Sequence, residues 1–313
     1  MKLQIIRQRR IWWTISAIVI LAGIAAMAIS WSRPDIRAPL RPGLDFIGGS
    51  KLQYELDCTA PNSCQQPIDI NAVRKVTDSQ GLTGSTVQPV DKTGITIRTR
   101  ELKQSERQKL ETALAEKIGK LDPKKTQNDT VGPTFGRQLF TNGLLSIGIS
   151  FLGIFLYLAF RFKLDYAFFA FVALFHDVFI TVGIFSILGL INGIEVDSLF
   201  VVAILTIIGF SVNDTVVIYD RIREVVAEHP NEPINQIVED AVNQTLTRSI
   251  NTTLTVLLTL FSIFFFGGET LHNFSLALII GFAAGAYSSI FIASTLLAWW
   301  RARQQKNMPT AKI

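Results

Sequence analysis

"GFSVNDTVVIYDRIREVV" occupies residues 209–226. Up to Tyr219 it is apolar or small apart from Asn213 and Asp214, and the preceding stretch 198–208 carries no charge. A carboxylate inside such a run raises the question of what surrounds it. Soluble domains usually carry about a quarter charged residues, whereas this chain of 313 residues carries 18%, with 49% hydrophobic residues. The shortage is local: long windows contain almost no charge. A bilayer core of ~30 Å takes about 20 apolar residues in a helix, and the windows 11–31, 138–160, 166–188, 198–219, 247–266 and 274–300 meet that requirement. The expected fold is a polytopic α-helical membrane protein with six transmembrane helices.

The placement of charge orients these spans. Lys and Arg concentrate in short loops on the cytoplasmic side. The stretch before the first span holds Lys2, Arg7, Arg9 and Arg10; the turn after the second holds Arg161 and Lys163; the loop after the fourth holds Arg221 and Arg223; the tail holds Arg301, Arg303, Lys306 and Lys312. The alternate loops 189–197 and 267–273 contain Glu195, Asp197 and Glu269 and no Lys or Arg. One threading satisfies every loop: both termini cytoplasmic and the long segment 32–137 exported. All five tryptophans (Trp12, Trp13, Trp31, Trp299, Trp300) fall at span ends, where amphipathic rings favour the headgroup layer. Ala26-Met27-Ala28 fits a signal-peptidase site, but the apolar run continues to Ile29 and Trp31, so an uncleaved helix is expected. The organisation is then 1–31, cytoplasmic tail and first span; 32–137, exported domain; 138–300, five further spans; 301–313, cytoplasmic tail.

Within the exported segment, "SKLQYEL" (50–56) alternates as a strand does. "IDINAVRKVTDSQGL" (68–82) is expected to be a helix capped by Asp69 and stopped at Gly81. "GSTVQPV" and "GITIRTR" are strands separated by Asp91-Lys92-Thr93, a hairpin signal. "KQSERQKLETALAEKIGK" is a second helix, and "KTQNDTV" a last strand. The order β-α-β-β-α-β is that of an α+β ferredoxin-like domain, a fold that by itself names no function. Cys58 and Cys64 lie after the first strand on the exported side, where disulfides persist. A local bridge is expected, two free thiols being the alternative.

Ionisable groups within a span are costly and mark ion or proton paths. Asp177, beside His176, and Asp214 are the acids well inside the windows. At mid-bilayer each costs about 2.5–3.5 kcal/mol on insertion scales. Asp214 lies roughly 9 Å inside the boundary set by Asp220, at 1.5 Å per residue. Ser211 precedes it by one turn, and Asn213 adjoins it. On the fifth span Arg248, Thr252, Thr255 and Thr259 recur at helical spacing, which places Arg248 at a depth suited to pairing with Asp214. The functional reading is a proton-coupling set of Asp214, Arg248 and Asp177 supported by hydroxyls. The alternative is a static pair with threonines bonded to their own helix. Gly281, Gly285 and Ser289 form a small-residue ridge for close helix packing. There is no metal-ligand spacing, no phosphate-binding loop, no nucleophile with an adjacent base and no basic aromatic face for nucleic acid. The chain is expected to be no enzyme and to need no cofactor, so energised work must draw on an ion gradient or a partner.

These residues resemble one family. "PGLDFIGG" (42–49) is similar to the Gly-x-Asp-Phe-x-Gly-Gly signature of the SecD/SecF protein-export membrane proteins, falling on Gly43, Asp45, Phe46, Gly48 and Gly49. "VGPTFG" (131–136), "HD" (176–177), "GFSVNDTVVIYDRIRE" (209–224) and "GFAAGAYSSIFIAS" (281–294) also match, so the resemblance spans nearly the whole chain. After Arg248 the chain reads Ser249-Ile250-Asn251-Thr252-Thr253, where the family more often continues with Thr. The resemblance implies a subunit that pairs with SecD in the bacterial inner membrane. It further implies association with the SecYEG channel, and use of the proton gradient to assist preproteins. It carries the family's transmembrane acid onto Asp214 and its transmembrane arginine onto Arg248, with Asp177 a weaker correspondence. The glycine signature is expected to act as a hinge or strand start at the membrane surface. Two other functions stay open: a half-transporter of resistance-nodulation-division type, and a scaffold that uses no gradient.

Overall fold

The computed structural model describes residues 4–59, 64, 67–90 and 92–307. Asp91 of the expected hairpin and Lys312 of the tail lie outside them. The chain divides into two compact units, Pro42–Asn142 and Met1–Arg41 with Gly143–Ile313.

The smaller unit begins with a short helix α2 (Leu44–Ile47), following α1 (Arg9–Ser32) in the chain. Then come β1 (Gly49–Glu55), α3 (Ile70–Ser79), β2 (Thr86–Val90), β3 (Gly94–Thr99), α4 (Gln104–Ile118) and β4 (Gln127–Val131). The sheet order is β2-β3-β1-β4, and every neighbouring pair is antiparallel, with Leu52 opposite Ile97 and Val87 opposite Ile97. Alternation along the strands turns Leu52, Tyr54, Val87, Ile95 and Ile97 to one face, where they pack with Val73 and Val76 of α3 and Leu110 and Leu114 of α4. The helix signals act as expected: Asp69 accepts from the Asn71 amide at 2.9 Å, and Gly81 takes φ +74° after α3. Cys58 and Cys64 are joined as a disulfide, Cα atoms 5.5 Å apart.

The glycine signature starts the sheet. Gly48 and Gly49 have φ +73° and +118°, a region that side chains disfavour, and a Cβ on Gly49 would lie 2.5 Å from the Thr99 carbonyl oxygen. The turn from α2 into β1 therefore excludes a side chain twice over. Phe46 packs edge-on against Phe140, ring centroids 5.6 Å apart.

The larger unit contains α1, most of α5 (Pro133–Arg161), α6 (Leu164–Ile191), α7 (Ser198–Glu228), α8 (Ile234–Phe266), α9 (Gly268–Ser288) and α10 (Ser294–Asn307). A π-helical turn, Ser289–Ala293, joins α9 to α10, so that they run as one span. Among the described residues six helices are long and apolar enough to cross a membrane. The helices extend past the apolar windows into polar ends; α7, for example, continues through Arg221 and Arg223 to Glu228.

Contacts fix the direction of helix pairs. Thr215 meets Ser289 and Tyr219 meets Ala293, and Gly281 opposes Ile207 at the same sequence offset of 74. A constant offset means that α7 and α9 run parallel. Ser16 meets His176 at an offset of 160, and Gly23 meets Gly183 at the same offset, so α1 and α6 are parallel too. Six alternating spans require both relations. The small-residue ridge is thereby explained: Gly281, Gly285 and Ser289 lie on Ile207, Ser211 and Thr215. By contrast α5 and α8 expose apolar faces, including Leu145, Ile149, Leu152, Leu254, Leu258 and Phe265. At the polar end of the bundle the amides of Ile5 and Ile6, both buried, donate to the two carboxylate oxygens of Glu239 at 2.7 and 2.9 Å.

Candidate ion-coupling site

Asp214 sits in the middle of α7 and is 7% exposed. Its Oδ1 accepts from the Ser249 hydroxyl of α8 at 2.9 Å. Its Oδ2 is buried and has no hydrogen-bond partner among the described residues. One turn along α8 from Ser249, the Thr253 hydroxyl is buried and unpartnered in the same sense. A buried acceptor without a donor is expensive, about 1–3 kcal/mol and more for a charge, so this carboxyl retains hydrogen-bonding capacity that the chain alone does not use.

The structure revises the neighbours expected for Asp214. Spacing places Arg248 beside it; Arg248 is exposed and, among the described residues, no hydrogen bond or ion pair joins it to Asp214, although its charge still acts on that carboxyl. Consecutive helical residues diverge by about 100°, so turning Ser249 inward turns Arg248 out. Thr252, Thr255 and Thr259 are exposed as well, and each hydroxyl donates to the carbonyl four residues back, at 2.9, 2.8 and 3.3 Å. Here the static alternative describes the stripe. Asn213 is exposed. Ser211, three residues before Asp214, points to a different helix.

That helix is α6. Asp177 is 0% exposed and accepts at Oδ2 from Ser211 of α7 at 2.5 Å and Ser288 of α9 at 2.8 Å. Its Oδ1 lies 2.9 Å from His176 Nδ1, and His176 Nε2 lies 2.9 Å from Ser16 Oγ of α1. The neighbours Ala170, Ala173 and Thr181 are buried, giving the small face that the sequence indicates. Gly285 makes room for the cluster: a Cβ there would lie 3.6 Å from Asp177 Oδ2 and 3.2 Å from Ser211 Cβ. Thus α7 meets one acid and carries the other: its Ser211 reaches Asp177 of α6, and its own Asp214 faces Ser249 of α8. Sequence reasoning singles out neither Ser16, Ser249, Ser288 nor Tyr287. An isolated serine in an apolar helix carries no signal of its partner. Only the adjacency of His176 to Asp177 is visible beforehand. Among the described residues no cluster of His, Cys, Asp and Glu has the arrangement to hold a metal ion.

The larger unit is a bundle with acids buried between helices long and apolar enough to cross a membrane, and the small β-α-β-β-α-β unit follows its first span: the plan of a multispan membrane protein. Residues 110–303 match the family "Protein export membrane protein SecD/SecF, C-terminal", and residues 37–60 match the "SecD/SecF GG Motif". The protein translocase subunit SecF of Synechocystis sp. is 54% identical over 100% of this chain and 99% of its own length. The SecF subunit of Prochlorococcus marinus is 38% identical over 93% of each chain. Among solved structures, the translocon-associated membrane protein SecDF from Thermus superposes with a TM-score of 0.78 and 27% identity over 96% of this chain. A structure of SecDF in a super-membrane-facing form gives 0.66 over 98% of this chain, also at 27% identity. This chain spans 39% and 40% of those two structures. The chain belongs to the SecD/SecF protein-export family, within its SecF translocase subunits. It is a transport component rather than an enzyme.

Proposed function

We propose that the chain pairs with SecD in a bacterial inner membrane, both tails cytoplasmic, and that protonation and deprotonation of Asp214 couple the proton gradient to preprotein translocation at the SecYEG channel. One observation carries this reading: Asp214 is buried, held by a single hydroxyl, with its second oxygen unpartnered. A carboxyl in that state accommodates a proton without breaking an existing bond, whereas a fully bonded carboxylate does not. The exposed Arg248 supports the partner. A guanidinium facing hydrocarbon costs about 2.5–3.5 kcal/mol, so the face of α8 bearing Arg248, Thr252, Thr255 and Thr259 favours cover by protein or water. SecD is the partner we propose for this face. A change of charge at one group biasing the packing of a bundle is a sound way to move an exported domain.

The test is preprotein export into inverted membrane vesicles containing this chain and SecD at matched levels, with and without a proton gradient. Asp214→Asn is expected to assemble normally and to lose the gradient-dependent component by roughly tenfold or more, while Asp214→Glu retains part of it. An unchanged gradient-dependent component in Asp214→Asn overturns the reading and leaves the chain a scaffold.

A further inference from the structure

The cluster around Asp177 differs in kind from the site at Asp214, and a count of its protons shows how. Donors can be assigned from one end, because the chain of hydrogen bonds stops at a group that only accepts. The carbonyl of Trp12 accepts from the Tyr287 hydroxyl at 2.8 Å. Tyr287 oxygen in turn accepts from Ser16 Oγ at 3.2 Å. Ser16 has one hydroxyl proton, committed to Tyr287, so at its 2.9 Å contact with His176 it accepts and Nε2 carries the hydrogen. At the other end Asp177 Oδ2 accepts from Ser211 and from Ser288, whose one proton takes the carboxylate at 2.8 Å over the Gly285 carbonyl at 3.2 Å. The contact that remains is Nδ1 to Oδ1, 2.9 Å. With no proton there, two lone pairs face each other; with two, two donors do. One proton satisfies it, on either atom, and in both cases the pair is neutral overall.

We propose that His176 and Asp177 form a one-proton clasp. It fastens α1, α6, α7 and α9 and fixes the rotation of α7 that presents Asp214 to α8. Its proton stays in place through the protein's working cycle. Each arm reaches a separate helix: Ser16 is on α1, Ser211 on α7, Ser288 and Tyr287 on α9. The pair is sealed, with His176 6% and Asp177 0% exposed. The other titratable group in contact is Tyr287, whose ring stacks on the imidazole at a centroid distance of 6.0 Å. Thr181 of α6 donates to the Asp177 carbonyl at 2.9 Å and adds no charge. Asp214 bonds from α7 to Ser249 of α8, and Arg248 is exposed, so neither charge is bonded to the clasp. His176, Ser16, Ser211 and Ser288 are on this view positioning residues, acting on Asp214 through the set of α7. The clasp rests on the geometry of the pair and holds whether or not Asp214 couples to a gradient.

The clasp and a proton carrier differ in one substitution. In Asp177→Asn the amide oxygen accepts from Ser211 and Ser288, and the amide N–H donates to His176 Nδ1. Every bond survives and the pair stays neutral. The expected result is folded protein in the membrane, and gradient-dependent export, within about twofold of wild type. Asp177→Leu strands the donors, and folded protein is expected to drop by about tenfold or more. Loss of export in a well-folded Asp177→Asn chain overturns the clasp, as does failure of Asp177→Asn to fold. A second measurement uses the native pair. With His229 and His272 replaced by Asn, the ring nitrogens of His176 are followed by NMR in lipid from pH 5 to 9. A constant signal is expected; a titration within that range overturns the proposal.

Discussion

Asp177 of α6 and Asp214 of α7 are buried aspartates on neighbouring helices, and their surroundings are opposite. Asp177 has both oxygens occupied, by two serines and a histidine. Asp214 has one oxygen bonded and one without a partner among the described residues. The contrast shows that a carboxylate in an apolar span has two uses. Fully bonded, it holds helices in register; partly bonded, it keeps the freedom to change state. Cost of insertion does not separate the two, since both pay it; hydrogen-bond occupancy does.

The strongest test of that contrast removes each carboxyl with leucine. Asp177→Leu strands two hydroxyls and an imidazole nitrogen, and is expected to destabilise the bundle by about 3–5 kcal/mol, the range for breaking a buried pair. Asp214→Leu strands one hydroxyl, which can bond its own helix, and is expected to cost about 1 kcal/mol. Unfolding in detergent measures both, and equal losses would break the comparison.

A smaller effect is expected at the ridge on the Asp177 side of α7. A Cβ on Gly281 would lie 2.1 Å from Ile207 Cδ1, and on Gly285 3.2 Å from Ser211 Cβ. Gly281→Ala should therefore cost about 1–3 kcal/mol, the range for overpacking, and more than Gly285→Ala. Adding Ile207→Ala should restore part of the loss in the same unfolding assay. Failure of that rescue would mean that the ridge contact is not what limits α7.

On the other side, Ser249→Ala takes the single donor from Asp214. Stability should change by no more than about 1 kcal/mol, while gradient-dependent export shifts severalfold. No shift in export would place Asp214 with Asp177 as a structural acid.

The smallest effect lies at the surface of the smaller unit, where water screens charge. Glu106 bonds Arg100 and accepts from the Lys103 amide, which hold its carboxyl down at about 2, against an ordinary ~4.3. Asp57 is held at about 2 by the Thr59 hydroxyl and Lys120. A depressed value stabilises the fold above the ordinary range, and that contribution is lost as pH falls from ~4.3 towards about 2. Hydrogen exchange at the start of α4 should speed up over this window, and Glu106→Gln should flatten the dependence. Both groups are at the surface, so the change is expected to be slight.

Much of this architecture was legible beforehand, and the reasons are physical. Span count follows from lengths of apolar sequence. The succession of strands and helices in the smaller unit follows from alternation and from signals such as Asp69 and Gly81. The acids stand out because nothing else in their windows is charged. What was not legible is which way each helix faces. A span that is apolar all round has no strongly marked inner side, so Arg248 and Ser249 compete equally for Asp214 until packing decides. Similarly, Ser211 and Asp214 are three residues apart and yet serve different helices. The π-turn at Ser289–Ala293 leaves no trace in composition, although Ser288 and Ser289, side by side in the chain, reach α6 and α7 respectively.

The bonds from Ile5 and Ile6 to Glu239 carry a consequence for assembly in time. Their partners are separated by 234 and 233 residues. A ribosome adds about 5–20 residues per second, so the opening stretch of the chain waits roughly ten seconds or longer before the acid that receives it has been made. The helix α1 thus enters the membrane with Ile5 and Ile6 untied, and Glu239 ties them only once α8 has begun. A contact made by residues 5 and 6 is in this way fastened late, as a seal on a bundle otherwise well advanced.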